Sequence, residues 1–296
     1  MTVPRLVLGA DTLCWHLRLE QGELTLEEAF AEAAEAGAAF VQLSLHHARD
    51  RSTDDLPVLA RRAGDLGLPR VLASGDPLGG AHRGEAVATA TARVEQWIER
   101  AAALGSPILR VASGFYRADL AGRPGAIEAE RRWTVEVLGG ALESARAAGV
   151  RLAIENHSDF NVAEYESILG ELGTDDVGVF LDLINPISAL DDPVTVVRGL
   201  APLAVAGHVK DYELRSIWTE GRYHRRGFSV LWRYPGEGAA DLPALLDALA
   251  GGLSGRELHL SVEGLDNAAG VADQVPRLRA SLALLRDLIA TPAGRA

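Results

Sequence analysis

Four short apolar segments in the second half of the chain each close on a residue type that binds metal ions. They are LAIENH with Glu155, VGVFLD with Asp182, VAGHVKD with His208 and HLSVEG with Glu263. The ligands lie 27, 26 and 55 residues apart (155 to 182, 182 to 208, 208 to 263). The first two intervals match one strand–helix unit of a (β/α) repeat. Three carboxylates and an imidazole would then stand at the C-terminal ends of four successive parallel strands, which in a barrel converge on the face that carries the active site. Taken singly, an acid at a strand end is an ordinary helix cap or solvated loop residue. Taken together, three carboxylates on one face repel one another unless a cation joins them. An oxygen-rich set with one histidine suits Mn²⁺, Mg²⁺ or Co²⁺ better than a structural zinc. The competing account is a charge network without metal, with Lys210, two residues past His208, balancing the acids.

Other polar residues fall close to these ends. His157, two residues past Glu155, leaves its strand on the same side and is expected to touch substrate or a ligand carboxylate. Lys210 would bind a substrate oxygen or phosphate, or balance the acids. Trp15 and His16 follow the first candidate strand, and His46 and His47 follow the second. An adjacent histidine pair points one ring inward and one outward, and His47 is the candidate substrate contact. Arg110 and Arg215 could grip an anionic group or serve as ordinary ion-pair residues.

The elements that must position these groups alternate along the chain. Candidate strands are Leu6–Ala10, Phe40–Leu45, Arg70–Ala73, Ile108–Ala112, Leu152–Glu155, Val177–Asp182, Ala204–Lys210 and Leu258–Glu263. Each is short and rich in Val, Leu or Ile, as parallel strands covered on both faces are. Helical periodicity marks Thr25–Ala36, Asp54–Leu66, Glu85–Leu104, Ile127–Ala148, Ala163–Leu172, Pro193–Leu200, Leu242–Leu249 and Val271–Ile289. Four of these stop at a glycine, Gly37, Gly67, Gly105 and Gly149, where a left-handed C-cap is expected. Eight strand–helix units predict a (β/α)8 TIM barrel, an α/β fold, and the 296 residues suit it. An open doubly wound sheet would need a glycine-rich phosphate loop after the first strand, and GADTLCWH is not one. No low-complexity linker divides the chain, so one domain is expected over 1–290, with a disordered tail over 291–296. The segment from Tyr212 to Gly238 reads as a long irregular, aromatic-rich loop of the functional kind. Its Gly236-Glu237-Gly238 reads as a turn.

The net charge of −12 argues against a surface built to hold nucleic acid or an anionic membrane. No run of 18 apolar residues predicts a membrane span, and the N-terminus lacks the features of a signal peptide. A single cysteine, Cys14, excludes an internal disulfide framework and suits a cytoplasmic location.

The strings LAIENHSDF, VGVFLDLINPI, AGHVKDYE, YPGEGAADLPALLDAL and LSVEG resemble the xylose-isomerase-like barrel superfamily, the sugar phosphate isomerase/epimerase group. The resemblance runs over most of the chain and is strongest from Gly149 to Gly264. It implies that Glu155, Asp182, His208 and Glu263 bind one divalent ion, Mn²⁺, Mg²⁺ or Co²⁺. It also implies that Glu155 and Glu263 move protons on the two faces of a small carbohydrate substrate. The implied activity is a sugar, keto-sugar or polyol isomerase or epimerase working through a metal-stabilised enediolate, in a chain that could form a dimer or tetramer. Asn185, three residues past Asp182, stands where the ketose epimerases carry a substrate-binding histidine, so it is a candidate substrate contact. Elimination from the same intermediate would give a lyase or dehydratase of the inosose or 3-keto-glycoside type. DNA-repair relatives add histidines to build a metal cluster, but their Asp-x-His after the seventh strand is missing from KDYELRS. A non-catalytic accessory barrel is the remaining alternative.

Overall fold

Residues 4–219, 224–265 and 274–291 are described by the computed structural model. They form ten strands: β1 (Arg5–Asp11), β2 (Val41–Ser44), β3 (Val71–Pro77), β4 (Ile108–Ala112), β5 (Arg151–Glu155), β6 (Val177–Asp182), β7 (Ala204–Val209), β8 (Asp211–Trp218), β9 (Arg225–Arg233) and β10 (Glu257–Val262). Eight of them close into a barrel in the order β1-β10-β7-β6-β5-β4-β3-β2, every neighbouring pair parallel. The strands β8 and β9 stand apart as an antiparallel hairpin.

Ten helices accompany them: α1 (His16–Glu20), α2 (Leu26–Ala36), α3 (Leu56–Asp65), α4 (Val87–Ala103), α5 (Arg117–Leu120), α6 (Ala126–Ala148), α7 (Val162–Leu172), α8 (Pro193–Leu200), α9 (Leu242–Leu253) and α10 (Gln274–Ala290). Local chemistry sets their ends. A capping box opens α2, with the Glu28 amide donating to Thr25 Oγ1 (3.2 Å) and the Thr25 amide to Glu28 Oε2 (2.8 Å). Asn161 and Glu164 open α7 in the same way. Gly37 (φ 90°) and Gly149 (φ 65°) close α2 and α6 in the left-handed region, as their positions predict. Element bounds differ from the sequence expectation by a few residues. Residues 271–273 of the last expected helix and 292–296 of the expected tail lie outside the described residues. No helix among the described residues is long and apolar enough to cross a membrane.

The two-residue period of the strands divides the side chains into two sets. Outward residues such as Leu152, Ile154, Val179 and Leu181 join the large core under the helices. Inward residues form layers. Phe40, Leu72, Ile108, Ala153, Phe180 and Ala206 make an apolar plug. Two residues further along each strand the inward positions turn polar: Gln42, Ser74, Arg110, Glu155, Asp182 and His208, all buried. Gly9 makes room for the plug, because a methyl there would overlap the Phe40 ring.

One expectation is corrected. The segment after Tyr212 holds two paired antiparallel strands, β8 and β9, with a register shift at Ile217/Trp218, in place of an irregular loop; residues 220–223 lie outside the described residues. Tyr212 pairs with Trp232, Leu214 with Val230 and Ser216 with Phe228 on one face, while Glu213 and Arg215 fall on the other. That alternation is the period-2 signal of an amphipathic strand. Asp211, buried at the base, ties both ends by accepting from the amides of Tyr212 (2.8 Å), Gly236 (3.1 Å), Gly238 (3.0 Å) and Ala240 (2.9 Å). Gly236 takes φ 94° in the returning turn, the role expected of it.

Candidate active site

Glu155 and Asp182 end β5 and β6, His208 lies one residue before the end of β7, and Glu263 follows β10 directly. All four side chains are buried, with relative exposures of 0%, 0%, 0% and 3%. Their ligand atoms converge on one ring nitrogen. His208 Nδ1 lies 3.2 Å from Glu155 Oε1, 3.8 Å from Asp182 Oδ2 and 3.6 Å from Glu263 Oε1. Donors bound at about 2.1 Å are about 3.0 Å apart at neighbouring octahedral positions and about 3.4 Å apart in a tetrahedron. The separations from that nitrogen are within about half an ångström of these values, although Glu263 falls outside the group of ligand atoms that lie close to one another. Glu155, Asp182 and His208 form a group whose ligand atoms all lie within 4.8 Å of one another.

Asp11, at the end of β1, completes the arrangement. Its Oδ2 is 3.0 Å from His208 Nε2, and neither side chain is exposed. A carboxylate on one imidazole nitrogen fixes the tautomer and leaves the other nitrogen free to ligate. Asp11 was missed in the sequence reading, although LVLGAD closes on an acid as the other four segments do.

Two buried cations neutralise the acids. Lys210 Nζ donates to Asp182 Oδ2 (2.7 Å) and to Glu263 Oε2, and sits 4.6 Å from the Trp232 ring centroid. Arg110 donates to Glu155 Oε2, Ser74 Oγ (3.1 Å) and the Gly75 carbonyl (3.2 Å). Burial alone would raise the glutamates' pKa values, but the cations win. Arg110 and His208 hold Glu155 well below the usual carboxylate range, and Lys210 and His208 lower Glu263. Asp182 moves the other way, because burial and the charges of Glu263 and Glu155 outweigh Lys210. Burial would lower His208, but Glu263, Asp11 and Glu155 push it up to about 10.

Main-chain contacts hold the strand ends in place. Asn156 Nδ2 donates to the Asp182 carbonyl (2.8 Å), and the Asp182 amide donates to Asn156 Oδ1 (2.7 Å). Asp182 Oδ1 accepts from the amides of Ile184 (2.8 Å) and Asn185 (2.7 Å), which turns Oδ2 toward Lys210 and His208. Glu263 donates its amide to the Val209 carbonyl (3.0 Å), and Cys14 Sγ accepts from Gly264 N (3.2 Å) beside it. Buried Asp159 pins the loop after β5, accepting from the His157 amide (3.2 Å), the Phe160 amide (2.7 Å) and Ser113 Oγ.

The remaining candidates are dispersed. His157 is half-buried and packs on the Tyr116 ring at 5.5 Å. Asn185 is buried and donates Nδ2 to the Asn156 carbonyl (3.2 Å), so its amide serves the loop. His47 lies beside His16 and Thr12 on the β1–β2 side, in a ligand group that shares no residue with the centre. The structure does not bring Arg215 to the centre. Its side chain is 57% exposed and pairs with Glu213 on the same strand (2.6 Å). Trp15 is a buried core residue whose Nε1 donates to Glu32 (2.6 Å).

The family described as Xylose isomerase-like TIM barrel matches residues 30–288. This chain belongs to that family. Its fold is shared with a D-psicose 3-epimerase crystallised in the presence of D-fructose, at TM-score 0.71 and 18% identity over 95% of this chain and 99% of that one. It is shared with a 3-keto-D-glucoside 4-epimerase from E. coli, at TM-score 0.68 and 18% identity over 96% and 100% of the two chains. It is also shared with the IolI protein carrying a bound zinc atom, at TM-score 0.66 and 15% identity over 97% and 99%. No curated protein matches the sequence.

Proposed function

We propose that the protein is a divalent-metal-dependent isomerase or epimerase of a sugar, keto-sugar or polyol. The observation that carries this reading is the convergence of Glu155, Asp182 and Glu263 on His208 Nδ1, with Asp11 holding the opposite nitrogen. The four converging residues would hold Mn²⁺, Mg²⁺ or Co²⁺, and such an ion, once bound, acidifies a C–H beside a chelated carbonyl.

The protein's own groups supply the rest. Arg110 and Lys210 pair with Glu155 and Glu263 and hold both as carboxylates, and each would take up a proton from substrate carbon as its pair gives way. They stand on strands separated by β6 and β7 in the barrel order, which suits proton removal at one face of the substrate and return at the other. Arg110 Nε is buried without an acceptor, a donor left over for a substrate oxygen. The Trp232 ring beside Lys210 offers an apolar wall for the C–H face of a sugar. The folds of two sugar epimerases agree with this substrate class.

Elemental analysis of the wild type and Asp182→Asn comes first. Stoichiometric Mn, Co or Mg that is lost in the variant supports the centre and directs a keto-sugar panel scored for both epimerisation and elimination. Absence of metal after supplementation reduces the four residues to a charge network. Glu263→Gln should then fold normally and lose at least about 10²-fold in turnover, the usual contribution of one acid–base group. Near-full activity in that variant removes the proton-transfer role.

A further inference from the structure

The half-buried histidines on the β1–β2 side take no part in the centre described above. His16 and Glu20 lie four residues apart on α1 and so share a helix face. His47 comes from the turn after β2, and its Nε2 is 2.9 Å from His16 Nδ1. One ligand atom from each of His16, Glu20 and His47 falls within 4.8 Å of the others. Two imidazoles and one carboxylate form a nitrogen-rich donor set, unlike the carboxylate-rich centre. We propose that His16, Glu20 and His47 form a second metal site, specific for a borderline divalent ion of the Zn²⁺ class.

Four local features support it. Thr12 Oγ1 sits 2.9 Å from His47 Nδ1 and is itself held by the Ser44 amide (3.0 Å). That contact orients the ring and directs Nε2 at His16, as the outer partners of ligating histidines do. Tetrahedral ligands at about 2.1 Å are about 3.4 Å apart, so the two ring nitrogens need part by only about half an ångström to admit an ion. Arg49 Nη1 lies against Glu20 Oε1 (2.8 Å) and His46 Nε2 (3.1 Å), so the cluster already attracts a cation. The Arg49 side chain is 48% exposed, and an exposed ion pair of this kind is readily displaced. Glu20 and His47 also line a cavity of about 180 Å³ with Leu19, Leu24, Arg49 and Arg51.

The site predicts two ions of different character in one chain. Metal-free protein is dialysed against Zn²⁺ and analysed for metal, and Co²⁺ is added in parallel for its visible spectrum. Wild type should hold one more zinc per chain than His16→Ala, His47→Ala or Glu20→Gln, and a tetrahedral Co²⁺ band should vanish with it. Glu20 is a surface residue, so its variant guards against loss by misfolding. Thr12→Val, which keeps the side-chain shape, should weaken this ion by roughly 10–100-fold. Asp182→Asn should leave it bound, so failure of the barrel-centre reading does not touch this result. Zinc content and the cobalt spectrum unchanged in all four β1–β2 variants, or a zinc lost only with Asp182→Asn, overturns the proposal.

Discussion

Asp11→Asn tests whether the first strand orients His208 for the proposed metal ion. The amide has the carboxylate's shape and can keep the cap on the Leu13 amide (2.7 Å), so the substitution removes charge rather than packing. Asp11 Oδ2 and His208 Nε2 are 3.0 Å apart and fully buried. At an effective dielectric constant of about 20, a unit pair at that distance is worth at most about 5–6 kcal/mol. Losing an outer partner of a ligating histidine typically costs about 10–100-fold in affinity, or about 1.4–2.7 kcal/mol. Calorimetric titration of Mn²⁺ into metal-free wild type and variant should fall in that range. The same variant should change the alkaline stability of the metal-free protein. His208 is raised from 6.5 to about 10. Its stabilisation is therefore complete below the unfolded value and is lost as pH rises through the folded one. Asp11→Asn should shift that loss to lower pH. A folded variant that binds Mn²⁺ within about twofold of wild type would refute the orienting role, since even the low end of the range is about tenfold.

Lys210→Met should destabilise the metal-free protein by about 3–5 kcal/mol in urea, because Asp182 and Glu263 are left buried and uncompensated. Saturating Mn²⁺ should restore part of that loss, and an equal deficit with and without metal would rule out a shared charge-balancing role. His47 is held down to about 4, chiefly by burial and then by the charges of His16 and His46. Its folded value lies below the unfolded 6.5, so metal-free protein should lose stability as pH falls from about 6.5 to 4. The loss is at most about 3 kcal/mol, and His47→Gln should flatten this limb of the urea-midpoint profile; a variant as acid-sensitive as wild type contradicts the assignment.

Strand positions were legible because each buried parallel strand is a short Val/Leu/Ile run, and several of these runs close at or beside an inward polar residue. That rule located Glu155, Asp182, His208 and Glu263, and Asp11 obeys it equally. It went unread because an acid at the end of a first strand resembles a loop cap, and Asp11 does cap Leu13. The hairpin after Asp211 was also written in the sequence, as alternation of Tyr212, Leu214 and Ser216, but aromatic and basic residues around Trp218 and Arg226 obscured it.

The eight-unit alternation, the family and the four candidate residues Glu155, Asp182, His208 and Glu263 are readable from the chain alone. These depend on periodicity and on residue type, which are local. The tertiary structure alone decided which nitrogen of His208 faces the acids, and that Asp11 from one end of the chain holds the other. It also decided that Arg110 serves Glu155 while Arg215 faces solvent, and that His47 meets His16 instead of the centre. Barrel closure is the physical reason. Pairing β1 with β10 brings residues 197 positions apart within hydrogen-bonding distance. The choice of partner then depends on register and depth across eight strands, which no short stretch of sequence encodes.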